Sequence, residues 1–159
     1  MTKNPPTPTL PRKERGQSFL PPAVEGREMS VLAQQLDNPE AAGSYSLRCG
    51  VGELRVAAKA AGFALFDADL HGIKGKQKLL DVVARAAGFP PEFGANWDAL
   101  ADALCDLSWQ KSAGYVLLMR NASDTLGLSA NDREIAQDIF SDTVVFWRQR
   151  NKPFWILFA

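Results

Sequence analysis

Two cysteines, Cys49 and Cys105, and a single histidine, His71, are all that this 159-residue chain offers of the side chains that most often act as nucleophiles or hold transition metals. Cys49 has no second cysteine or histidine nearby at zinc spacing, and no serine or cysteine sits in a recognisable nucleophile setting. A Gly-x-x-x-x-Gly-Lys loop and a Gly-x-Gly-x-x-Gly turn are both missing, so cofactor binding has no support. No run approaches the roughly 18 consecutive apolar residues that a membrane-spanning helix needs. With so little cysteine and no charged-then-apolar signal segment, a disulfide is not expected, and the compartment expected is the reducing cytoplasm.

Net charge is missing too, at 18 Lys or Arg against 18 Asp or Glu, but the balance is uneven along the chain. Residues 1 to 28 carry five Lys or Arg against three Asp or Glu, whereas residues 63 to 145 carry seven against twelve, an acidic excess of five. A field of that sign repels nucleic acid, whose binding rests on neutralised phosphates, and suits a basic protein partner instead. At 46% hydrophobic content the chain supports one domain with a proper core.

Six of the ten prolines fall in residues 1 to 28, interleaved with Lys and Arg, and this composition predicts a disordered leader. Met29 follows, and we expect translation to start there. Residues 29 to 61 read as an N-terminal extension holding a short strand at Ser44-Tyr45-Ser46-Leu47 and a helix from about Gly52 to Ala60. Gly62 to Asp67 then reads as a strand, and Lys74 to Ala87 as a helix stopped by Gly88 and Pro90. Gly114 to Met119 and Phe154 to Phe158 are continuous apolar runs of strand length, the pattern of strands buried on both faces. Between them a long helix is expected, capped by Asn131 or Asp132 and ending near Gln149, after a short helical turn at Asp124 to Leu126. These elements predict an α/β fold with a small three-stranded parallel sheet packed with helices.

The most informative stretch is Phe93-Gly94-Ala95-Asn96-Trp97-Asp98-Ala99-Leu100-Ala101-Asp102-Ala103-Leu104-Cys105-Asp106. Asn96 is placed as an N-cap, and the spacing predicts a helix from Trp97 to about Leu107. Asp98, Asp102 and Asp106 recur every fourth residue, so on one helix they form an acidic ridge beside an apolar face of Trp97, Leu100 and Leu104. Like charges four apart do not stabilise a helix. The ridge is either a solvated face or a surface built to meet a cationic partner.

From Pro90-Pro91-Glu92-Phe93 through Leu104 the sequence resembles the signature of the barstar family of ribonuclease inhibitors, and the resemblance runs from about Gly62 to Ala159. It implies the barstar fold and an acidic helix entering a ribonuclease active site where substrate phosphates would lie. Residue by residue it points to Asp98 and above all Asp102 as partner-binding, with Trp97, Asp106, Ala101 and Glu92 around them. Ala101 stands where the type member has a tryptophan, Glu92 where it has a tyrosine, and Phe146 where an acidic residue of its last helix touches the ribonuclease. No catalytic, metal or cofactor residue is implied, and the free chain is expected to be a monomer.

Two other readings stand beside inhibition. One is an acidic interaction module on the same scaffold with a partner that is no nuclease. The other is a Mg²⁺-dependent phosphodiesterase using Asp67, Asp69, Asp98 and Asp102, against which count the acidic excess and the lack of an assisting Lys or His.

Overall fold

The computed structural model describes residues 28–159, with side chains from Leu32 onward. The leader expected at 1 to 28 thus lies outside the described residues, apart from Glu28, which opens the first helix. In chain order the elements are α1 (Glu28–Leu36), β1 (Ser44–Ser46), α2 (Val51–Ala61), β2 (Phe63–Asp69), α3 (Lys76–Ala87), α4 (Trp97–Leu104), β3 (Gly114–Arg120), α5 (Ala130–Arg148) and β4 (Phe154–Phe158). No helix among them is long and apolar enough to cross a membrane.

The sheet is parallel throughout, as the two apolar runs require, but it has four strands in the order β1-β4-β3-β2. The expectation of three is corrected by Ser44–Ser46, which pairs with Ile156 to Phe158. Ile156 N donates to Gly43 O at 2.9 Å and Leu47 N to Phe158 O at 2.8 Å. Without β1, the outer edge of β4 would leave its backbone groups unpaired beside a fully buried strand.

Alternation along β3 and β4 divides the core in two. Tyr115, Leu117, Met119, Phe154 and Ile156 face α3, α4 and α5, whereas Val116, Leu118, Trp155 and Leu157 face α1 and α2. Residues 29 to 61 therefore provide a complete helical layer, including α1, which the sequence pattern did not reveal. That layer is pinned by buried polar contacts: Trp155 Nε1 donates to Leu36 O at 2.8 Å, and Arg148 donates to the carbonyls of Pro39 and Ala42.

Loop geometry fixes where the helices begin and end. The expected turn at Asp124 to Leu126 is a pair of tight turns, with Leu126 N donating to Ser123 O and Leu128 N to Thr125 O. Gly127 there adopts φ 70°, and any Cβ at this position would overlap the Ile73 carbonyl. The cap of α5 is Ser129, not Asn131 or Asp132, because its hydroxyl accepts from Asp132 N at 3.2 Å.

Candidate functional site

α4 is set by its first and last turns. Asn96 Oδ1 accepts from Ala99 N at 2.7 Å, the expected N-cap. The loop before it is held by Phe93 packed edge-on to Phe89, by Phe93 N donating to Pro90 O, and by Gln77 Nε2 donating to Ala95 O. Leu100 and Leu104 are buried against α5 and the sheet. At the far end Trp147 Nε1 donates to Leu104 O at 2.8 Å, so an indole from α5 satisfies one of the carbonyls that a helix end leaves open.

The helix stops at Leu104, short of the expected Leu107. Leu107 takes φ 47° and turns its side chain into the core, while Asp106 N and Leu107 N both return to Ala103 O. Burial of one leucine overrides helical periodicity, and Asp106 leaves the ridge. The structure therefore brings together Asp98 and Asp102, both exposed on one face of α4. Asp106 is exposed beyond the helix end with Ser108 Oγ 3.4 Å from its carboxylate. Glu92 is exposed in the preceding turn, and Ala101 is half-buried. Trp97 is half-buried too, its Nε1 donating to Asp132 Oδ1 at 3.4 Å and Lys76 Nζ lying 6.0 Å from its ring centre, so it ties α4 to α5 and α3.

Every ion pair among the described residues sits elsewhere. Asp67 is bound by Arg55 of α2 and, at 2.6 Å, by Arg120 Nε, while Asp69 lies 4.0 Å from Arg120 Nη1. Hydrogen bonds from the Asn121 side chain and from His71 N hold the Asp69 carboxyl below the usual carboxylate range. Asp67 and Asp69 are thus engaged on the α2 side of the sheet, and α4 packs on the other side. Among the described residues no three His, Cys, Asp or Glu side chains come together closely enough to hold a metal ion, so the carboxylate cluster of the phosphodiesterase reading does not assemble.

A second acidic element was missed. At the junction of α4 and α5 the Cys105 thiol is pushed up by burial, with Thr143 hydrogen-bonded to it and the charges of Arg150, Asp102 and Asp142 all reaching it. Asp142 of α5 is exposed, next to the buried Thr143. Its sequence signal was the run Asp138, Asp142 and Phe146, four residues apart on one helix face, with Arg150 just past the helix end.

The family described as Barstar (barnase inhibitor) matches residues 63–159, which span β2 through β4 and include α4 with its cap and both central carboxylates. The chain belongs to the barstar family. No curated protein matches it. The match begins at the first residue of β2, so α1, β1 and α2, which complete this barstar-family sheet and cover its second face, lie outside the matched region.

Proposed function

We propose that this barstar-family protein is an intracellular inhibitor of a ribonuclease, acting by insertion of α4 into the enzyme's cationic active site. The observation that carries the reading is that Asp98 and Asp102 are exposed on a rigidly capped helix with no ion-pair partner among the described residues. A ribonuclease gathers cations to stabilise phosphate charge, and fixed carboxylates fill the same place. The helix dipole favours Asp98 in the first turn, so that charge needs no internal partner. Asp102, in the middle of α4, is the carboxylate best placed for the dry centre of the contact. The protein itself is a binder, not an enzyme, and needs no cofactor.

The test is inhibition of RNA cleavage by barnase and a panel of other small microbial ribonucleases. Asp102→Ala should weaken inhibition of the cognate enzyme by roughly 2 to 5 kcal/mol, mainly through faster dissociation, as for buried charge pairs generally. Asp106→Ala should cost below about 1 kcal/mol, since solvent screens it beyond the helix end. The on-rate should fall steeply from low to physiological ionic strength. The reverse order of the two variants, or no inhibition of any ribonuclease in the panel, would count against the reading. Ala101, where a large aromatic would widen the contact, favours the acidic module with a non-nuclease partner as the second reading. Full RNA cleavage at saturating protein would support it.

A further inference from the structure

The acidic face is not of one sign. Beyond the end of α5, the guanidinium carbon of Arg150 lies 3.6 Å from the centre of the Phe146 ring, and Nη1 donates to Phe146 O at 3.0 Å. A planar guanidinium stacked on an aromatic face and hydrogen-bonded at one end is held in a single arrangement although it is exposed. Arg150 makes no salt bridge among the described residues. Its charge stays available at the surface.

The placement of that charge follows from the packing of α4 on α5. Trp147, three residues before Arg150, holds the end of α4 through Leu104 O, and its ring packs edge-on to Phe146. Arg150 N also donates to Trp147 O at 2.9 Å, so Arg150 is tied to the same turn that holds Leu104 O. The surface is thus negative at Asp98 and Asp102 on α4 and positive at Arg150, on the turn that holds the end of α4.

We propose that Arg150 is a specificity-determining residue of the α4 face, selecting against a ribonuclease that is cationic across the whole contact. This inference rests on the reading of α4 as the ribonuclease-binding element. Like charges brought face to face at an interface are costly, so a fixed cation beside the carboxylates rejects partners that would place their own Lys or Arg there. The partner that fits carries a carboxylate opposite the end of α5 and its cations opposite Asp102.

Barnase is the cationic probe for the test. Its affinity is measured for the full chain, Arg150→Ala, Arg150→Glu and the double variant Arg150→Glu with Asp102→Ala, at low and physiological ionic strength, with thermal unfolding checked for each. Arg150→Glu should bind barnase about tenfold or more tightly than the unmodified chain at low salt, with Arg150→Ala between them and the gap narrowing as salt rises. Asp102→Ala should weaken binding with either residue at position 150. Equal affinity of the unmodified chain and Arg150→Glu, both weakened by Asp102→Ala, would overturn the role of Arg150 and leave the α4 reading standing. Failure of Arg150→Glu to bind at all would also overturn it. A gain from Arg150→Glu with no loss from Asp102→Ala would overturn both, since the repulsion would then lie off the α4 contact.

Discussion

Trp147→Phe separates stability from the positioning of α4. The Trp147 indole is buried at 7% exposure, donates to Leu104 O at 2.8 Å, and packs on Tyr115 with ring centres 5.0 Å apart. Phenylalanine retains an aromatic ring there but removes the donor. The Leu104 carbonyl then stays buried and unpaired, at a cost of about 1–3 kcal/mol. The smaller ring leaves a void that adds about 1 kcal/mol. A total of about 2–4 kcal/mol is a large part of a domain stability of roughly 5–15 kcal/mol. Urea unfolding reads it directly, and for a chain of this length it lowers Tm by roughly 4–16 °C. The control is Trp155→Phe, which loses the equivalent bond to Leu36 O on the opposite face of the sheet. Both variants should be destabilised to a similar extent. Only Trp147→Phe should speed amide hydrogen exchange at Cys105 and Leu107, whose N–H groups close the last turn onto Ala101 and Ala103. A loss below about 1 kcal/mol in Trp147→Phe, or equal exchange changes at α4 in both variants, would refute the idea that this indole holds the end of the helix.

At the other end of α4, Asn96→Ala removes the acceptor for Ala99 N and should cost about 1 kcal/mol in denaturant unfolding, while Asn96→Asp keeps the acceptor and should stay within about 0.5 kcal/mol of the unmodified chain. Equal stability of Asn96→Ala would show that the cap is dispensable. For Cys105, burial raises the thiol above its ordinary 9.0, so its neutral form favours the fold below that pH, and this contribution is lost as pH rises through the higher native value. Alkylation of Cys105 in a Cys49→Ser background should therefore titrate with a midpoint above 9.0, and a midpoint at or below that value would contradict its burial.

The parts of the fold legible in the sequence were those whose surroundings are nearly uniform. Gly114 to Met119 and Phe154 to Phe158 read as strands because both of their faces are apolar, and Asp98 and Asp102 read as one surface because four residues make one turn. Ser44 to Leu47 read as a short strand, but its place in the sheet did not, since so short a segment carries no apolar run and is recruited by the open edge of β4. Asp106 was misplaced for the opposite reason. Its local spacing was right, but the burial of Leu107 ended the helix three residues early. Arg150 comes near the end of α4 only through the packing of α5 on α4, which no local pattern specifies.

The described carboxylates fall into two groups with different physical tasks. Asp67, in its pairs with Arg55 and Arg120, ties α2 to the ends of β2 and β3, which joins the layer outside the family match to the sheet within it. Both pairs are partly exposed, so each contributes modestly to the fold. Asp98, Asp102 and Asp142 have no such pairing among the described residues, and their repulsion is relieved when one of them is removed. Asp102 therefore adds nothing to the fold that a neutral residue would not supply, whereas Asp98 in the first turn is favoured by the helix dipole. Because the two groups lie on opposite faces of the sheet, the acidic face can change its charge pattern without disturbing the network that holds the layers together.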